Sequence, residues 1–90
     1  MSGPDQTIAM KRYYFDMRDG DSLAPDDEGI LLPDIETVQQ EAAVALAQMA
    51  RDVAPGVLKN GGRRMAIEVR DESGAVLKAL FTFAADRRRH

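Results

Sequence analysis

The sequence predicts a small α+β domain of order β-β-α-β-β, in which a four-stranded antiparallel sheet carries one helix on one face. Two observations predict this class. Two pairs of extended segments are each joined by a turn signal, and one long stretch with helical periodicity separates the pairs. The 90 residues suffice for one domain with a modest core. We place that domain at residues 10–84, between a disordered extension at 1–9 and a basic tail at 85–90.

The first pair of segments predicts a hairpin at the start of the domain. Apolar and polar residues alternate over 12–17, and Asp19-Gly20 follows as a strong turn signal. The second strand is placed at 22–32, but Pro-Asp-Asp-Glu-Gly at 25–29 interrupts it. Because proline cannot donate to a β-ladder, we expect this strand to lie at an edge or to be split by a bulge.

The helix is predicted to begin after Asp34 and to end at about Ala54. Asp34 is a favourable N-cap, Glu36 complements the helix dipole, and Pro55-Gly56 is a stop signal. One apolar stripe is expected to cover the sheet, and its residues are Ile35, Val38, Ala42, Ala45, Leu46, Met49 and Val53.

The second pair of segments predicts another hairpin after the helix. Residues 56–63 contain Asn60-Gly61-Gly62 and are expected to form a flexible loop. Residues 65–70 alternate between the two faces of a third strand, and residues 76–83 form a fourth strand with apolar residues on both faces; an Asp-Glu-Ser-Gly turn at 71–74 joins them. The two hairpins together predict the antiparallel sheet.

The composition excludes several classes of site. The chain has no cysteine, and its one histidine is His90, the last residue. Thiolate metal sites, disulfides and nucleophilic triads with histidine are therefore excluded. An EF-hand loop counted from Asp19 places Ala24 where glycine is needed and Ile30 where glutamate is needed. We expect no metal, no cofactor and no enzymatic activity, since carboxylates on exposed turns stay ionised.

The N-terminal sequence and the hydropathy predict a cytoplasmic location. No apolar run approaches the length that spans a bilayer, and the start of the chain lacks the basic and apolar regions of a signal peptide. The net charge of −3 hides an asymmetry, because residues 1–58 carry −7 and residues 59–90 carry +4. We attribute this asymmetry to two halves that attract each other within one fold.

By elimination, we expect a small non-enzymatic interaction or regulatory module that acts through protein contacts. We also expect a homodimer, formed through small residues on one flank of the helix or through the open sheet face, because the core is small for an isolated domain. The predicted interface residues are Ala43, Ala47, Ala50, Ala54, Val76 and Leu80.

The alternative is a nucleic-acid-binding domain that uses the sheet face away from the helix and the arginine tail. RNA-binding sheets expose two or three aromatic side chains for base stacking, whereas here only Tyr14 is available, among cross-strand charge pairs. The contact residues would be Arg12, Tyr14, Arg64, Arg70, Lys78, Arg87, Arg88 and Arg89.

Several short motifs resemble a known family. They are Tyr13-Tyr14-Phe15-Asp16, Arg18-Asp19-Gly20, Asp26 with Gly29, Leu32-Pro33-Asp34 and Asp71-Glu72-x-Gly74. Over roughly residues 10–83 the chain resembles a short domain of unknown function from rhizobia and related alphaproteobacteria. The resemblance implies a bacterial source and the β-β-α-β-β order, and it implies no activity, ligand or catalytic residue.

A weaker likeness is to HicB-type antitoxin domains. Those domains also have an aspartate-glycine turn and a Pro-Asp pair before a helix with a Glu-Ala pair, here Glu41-Ala42. The sequence departs from them because it lacks their extra strand and glycine-rich turn before the helix, and their DNA-binding domain. These departures argue against a direct antitoxin role and leave a protein-partner role on a similar scaffold open.

Overall fold

The protein is described by a computed structural model that covers residues 9–60 and 62–84, with side chains described for 9–52 and 64–82. The described residues form an α+β fold with one helix and an antiparallel sheet, as the sequence predicts. The predicted tail at 85–90, and all but one residue of the predicted extension at 1–9, lie outside the described residues. The elements are β1 (Lys11–Asp19), β2 (Ser22–Ala24), β3 (Ile30–Leu32), α1 (Ile35–Asn60), β4 (Gly62–Asp71) and β5 (Gly74–Ala84).

The sheet has the order β2-β1-β4-β5, with β3 also paired to β1 and every pair antiparallel. The described residues form five strands where four were predicted, because the predicted second strand is split into β2 and β3. Residues 25–29 separate these two strands and stand against residues 14–16 of β1, an excess of two residues. The proline therefore splits this strand as predicted.

The core lies between α1 and the neighbouring strands β4 and β5. Within the predicted helical stripe, Val38 and Ala42 are buried and Met49 is half-buried. The prediction for Ile35 is wrong, because its side chain is 45% exposed in the first turn of the helix. The side chain of Val53 lies outside the described ones. The core cluster of buried residues is Tyr13, Leu32, Val38, Ala42, Ile67 and Val69.

The end of the helix also differs from the prediction. α1 continues through Pro55-Gly56 to Asn60, and β4 begins at Gly62, so the loop predicted for 56–63 does not form. A proline within a helix removes one backbone hydrogen bond, and its ring clashes with the carbonyl four residues earlier. Both effects are confined to one turn, so the helix resumes beyond Pro55 and the stop signal does not end it.

Both predicted turns are present. Gly20 has a φ of +61° and donates its N–H to the Arg64 carbonyl oxygen at 2.9 Å, which fastens the β1–β2 turn to β4. At the β4–β5 turn Gly74 has a φ of +125°, and Asp71 Oδ1 accepts the Ser73 N–H at 2.7 Å. Both glycines have left-handed conformations that other residues rarely adopt. The described part of the chain contains no helix that could span a membrane.

Candidate interaction surface

The strand registers place one set of alternating residues on the sheet face opposite α1, which we call the open face. Tyr14 pairs with Arg70, and Asp16, Glu68 and Lys78 form one row across β1, β4 and β5. Cross-strand pairs on one face lie close enough for their side chains to interact. The open face consists of Arg12, Tyr14, Asp16, Arg18, Arg64, Ala66, Glu68, Arg70, Lys78, Leu80 and Thr82.

The basic residues of this face are largely paired with acidic ones. Glu68 Oε2 lies 2.7 Å from Arg18 Nε and 3.9 Å from Lys78 Nζ. The hydrogen bond from Arg18 lowers the pKa of Glu68, which keeps this carboxylate ionised. These contacts confirm the cross-strand charge pairs that the sequence predicts.

A second ion pair joins Asp16 on β1 to Arg70 on β4. Arg70 Nε donates to Asp16 Oδ2 at 2.9 Å, and the Asp26 N–H donates to Asp16 Oδ1 at 2.9 Å. Asp16 is 8% exposed, and burial by itself raises its pKa. The hydrogen bonds and the charge of Arg70 outweigh that effect, so the pKa of Asp16 is lowered.

Asp26 holds the loop at 25–29 against β1. Its Oδ2 accepts the Phe15 N–H at 3.0 Å, while its Oδ1 accepts the N–H groups of Glu28 and Gly29 at 3.0 and 3.1 Å. Arg70 Nη2 donates to the Asp26 carbonyl oxygen at 2.8 Å. Burial raises the pKa of Asp26, but the three backbone hydrogen bonds and the charge of Arg70 lower it by more, so the net shift is downward. The predicted turn carboxylates therefore organise the backbone.

Asp16 and Glu68 border a shallow depression of about 570 Å³ on the open face, together with Arg70 and Lys78. Both carboxylates at this depression have a lowered pKa, whereas a general acid needs a raised one. The described residues contain no group of three or more side chains that could hold a metal.

The one aromatic side chain of the open face is already in contact with a cation. Arg70 Cζ lies 4.5 Å from the centroid of the Tyr14 ring, so the guanidinium covers one ring face.

The other arginines predicted to contact nucleic acid differ in their surroundings. Arg12 Nη1 donates to the Glu28 carbonyl oxygen at 2.8 Å. Within the described side chains, Arg64 is exposed and has no ion pair. The arginines at 87–89, predicted to contact nucleic acid, lie outside the described residues.

The predicted interface residues are divided between two surfaces. Leu80 is 55% exposed on the open face, but Val76 is the extra residue of a β-bulge opposite Val69/Arg70 and packs against the core cluster. On α1, Ala43 and Ala47 are exposed and Ala50 is half-buried, while the side chain of Ala54 is not among those described. Of the two residues predicted on β5, only Leu80 is well exposed.

The outer main-chain edge of β5 is a candidate interaction site that the sequence does not predict. β5 is the last strand in the sheet order, and no described strand pairs with its outer edge over eleven residues. Its sequence contains no proline and only one charged residue, Lys78, which lies beside Glu68. The N–H and C=O groups along such an edge can pair with another extended segment. Which strand lies at the edge depends on the topology, so no local sequence signal marks it.

A family model described as "Domain of unknown function (DUF6894)" matches residues 12–84. The resemblance to a domain of unknown function is thereby confirmed over most of the chain. No curated protein and no solved structure matches it. The bacterial source, the cytoplasmic location and the HicB-type likeness stay predictions.

Proposed function

This chain belongs to the DUF6894 family, and we propose that it is a small non-enzymatic interaction or regulatory module that acts through protein contacts along the β5 edge. The observation that carries the proposal is the eleven-residue edge itself. An extended segment of a protein partner can add to such an edge through main-chain hydrogen bonds, while side chains on either face provide specificity.

The chemistry of β5 supports strand addition. Natural sheets protect exposed edges with lysines, prolines, bulges or short strands. The bulge at Val76 affects only the first part of β5, and the one lysine, whose side chain is 60% exposed, lies 3.9 Å from Glu68 on its own sheet. Apart from this bulge and this lysine, β5 contains no proline and no other charged residue.

The open face favours protein over nucleic acid as the partner. Arg18, Arg70 and Lys78 have acidic partners on the same face, so a phosphate backbone would have to compete with those contacts. Arg70 covers one face of the Tyr14 ring, which reduces the surface available for base stacking.

The test is capture of proteins from the native cell extract by the immobilised chain and by two variants. Leu80→Lys adds a charge to the edge strand, and Val44→Lys adds the same charge to the outer surface of α1. The two residues make a matched pair, because each is 55% exposed. We expect the bound proteins to be lost with Leu80→Lys and kept with Val44→Lys, and the β5 amides to exchange more slowly in the complex.

Two results contradict this proposal. One is an identical set of captured proteins with Leu80→Lys. The other is tight binding of RNA or DNA that weakens steeply with salt, which is the signature of phosphate contacts and supports the nucleic-acid alternative.

A further inference from the structure

We propose that the occupant of the β5 edge is a second copy of this chain, whose own β5 pairs antiparallel with the first and joins the two sheets into one. This inference rests on the proposed function, because it names the partner of the same edge. An antiparallel contact of this kind is isologous, so the same residues contribute from both copies.

We place the two-fold axis at Ala79, the midpoint of the strand Gly74–Ala84. In this register the segments Leu77–Phe81 of the two copies pair directly, and the bulge at Val76 interrupts regular pairing beyond Leu77. On the core side, this register places Leu77 opposite Phe81 of the second copy. On the open face it places Lys78 opposite Leu80 of the second copy, within reach of cross-strand contact.

The charges of this register are compatible with self-association. Lys78 is the only charged residue of β5, and in this register it faces Leu80 and not the other lysine. Its own Glu68 lies 3.9 Å away and partly neutralises it. The lysine stem lies against the leucine, whose side chain is 55% exposed in the single chain.

The position of α1 supports the same arrangement. The helix packs over β4 and β5, and the two-fold axis places both helices on the same face of the joined sheet. Adjacent strands lie about 4.8 Å apart, so helices centred between β4 and β5 in each copy lie about 10 Å apart. Packed helices have interaxial distances of about 8–10 Å. The β5 pairing therefore brings the two helices into contact.

The flank of α1 that faces the second helix carries small residues. β3 and β4 are parallel, since both are antiparallel to β1, and a crossover between parallel strands is nearly always right-handed. With that hand, and with Val38 and Ala42 toward the sheet, the flank with Ala43 and Ala50 faces outward past β5. Small side chains there allow close approach of the second helix, so the two predicted interface regions become parts of one surface.

Sedimentation of the purified chain at about 100 μM tests the inference, because association depends on protomer concentration. We expect a species of twice the monomer mass. In Leu80→Lys the new lysine of each copy lies opposite Lys78 of the other copy, so two pairs of like charges face each other. We therefore expect the dissociation constant of the dimer to rise by about tenfold or more. Leu80→Glu places a carboxylate opposite Lys78, so we expect the dimer to persist. Val44→Lys is the control and leaves the dimer unchanged.

A cross-link provides a second measurement that does not depend on weakening the fold. The chain has no cysteine, so Ala79→Cys introduces one thiol per copy on the two-fold axis. Paired Cα atoms in antiparallel strands lie about 4.5–5.5 Å apart, within the range of a disulfide. We expect Ala79→Cys to form a disulfide-linked dimer on oxidation. Ala75→Cys is the control, because its two copies would lie about 27 Å apart along the strands.

The outcomes separate this inference from the proposed function. A single monomeric species together with no Ala79→Cys cross-link overturns the second copy as partner. If the monomer still loses its captured proteins with Leu80→Lys, the proposed function stands with another partner. If capture is also unchanged, both proposals fail. A dimer that Leu80→Lys and Leu80→Glu weaken equally overturns the register centred on Ala79.

Discussion

Gly29 is the residue at which the loop at 25–29 returns to β1, and its surroundings leave no room for a side chain. Its φ is +72°, and a Cβ there would lie 2.9 Å from the Tyr13 carbonyl oxygen and 2.8 Å from Arg12 Cγ. Gly20 has a similar φ of +61° but nothing within 4 Å of the position of a Cβ. A side chain at Gly20 would cause backbone strain alone, whereas a side chain at Gly29 would cause backbone strain and a steric clash.

Gly29→Ala is expected to destabilise the fold more than Gly20→Ala. Left-handed strain alone costs about 1 kcal/mol at Gly20. At Gly29 the additional clash with the Tyr13 carbonyl oxygen raises the loss to about 2–4 kcal/mol. Urea unfolding of both variants measures the difference in their free energies of unfolding. An equal loss in the two variants would show that the loop at 25–29 moves away from β1 and accommodates the new Cβ.

Asp16 is the residue that connects this loop to β4, through the Asp26 N–H and the Arg70 guanidinium. Asp16→Asn keeps one acceptor oxygen but removes the charge that Arg70 contacts. We expect a loss of about 1.5–3 kcal/mol in the free energy of unfolding, the range for a hydrogen bond to a charged group. Asp27→Asn is the control, because Asp27 is an exposed carboxylate of the same loop. Similar stability of the two variants would contradict a structural role for Asp16.

At the scale of elements, the start of α1 depends on its N-cap. Asp34 Oδ1 accepts the Thr37 hydroxyl hydrogen at 2.7 Å and the Thr37 N–H at 2.8 Å. These two hydrogen bonds lower the pKa of Asp34, which confirms its predicted role as cap. The first turn also leaves Ile35 exposed, so the cap and not apolar burial at that position holds this end of the helix.

Asp34→Ala is expected to lower the Tm by about 4–8 °C, the shift that loss of one cap produces in a domain of this size. Asp34→Asn retains an acceptor for the Thr37 N–H and is expected to keep most of the stability. Thermal unfolding followed by circular dichroism measures both variants. If alanine and asparagine gave the same Tm, the N-terminal turn would not depend on the cap.

At the scale of the whole molecule, the carboxylates that hold the elements together share one direction of pKa shift. The pKa is lowered for all of Asp16, Asp26, Asp34, Glu68 and Asp71. Their ordinary values are 3.8 for aspartate and 4.5 for glutamate. As the pH falls, the unfolded chain therefore takes up protons before the folded chain does, which favours unfolding.

The protein is expected to be stable at neutral pH and to lose stability in acid. The stabilisation from these carboxylates is fully present above their unfolded pKa values, and it is lost as the pH falls through the lower, folded ones. Thermal unfolding between about pH 7 and pH 2 should show the Tm falling below about pH 5. Asp16→Asn should make this fall shallower, because one of the shifted groups is gone. A Tm that stays constant over this range would contradict the ion pairs described above.

The sequence by itself determined the features that depend on residues a few positions apart. The alternating strands, the turns at Gly20 and Gly74 and the Asp34 cap each follow from local backbone geometry and local hydrogen bonds. The same holds for the split of the second strand, since Pro25 cannot donate to a ladder wherever it lies. The α+β class followed because the order of these local elements leaves few ways to cover one sheet face with one helix.

The tertiary structure decided what depends on residues far apart in the chain. Asp16 and Arg70 are 54 positions apart, and only the β1–β4 register brings them together. Their contact places Arg70 over Tyr14, which changes a candidate stacking residue into a covered one. The register and the sheet order, which leaves β5 at an edge, result from the summed packing of many weak contacts, so no short segment of sequence contains them.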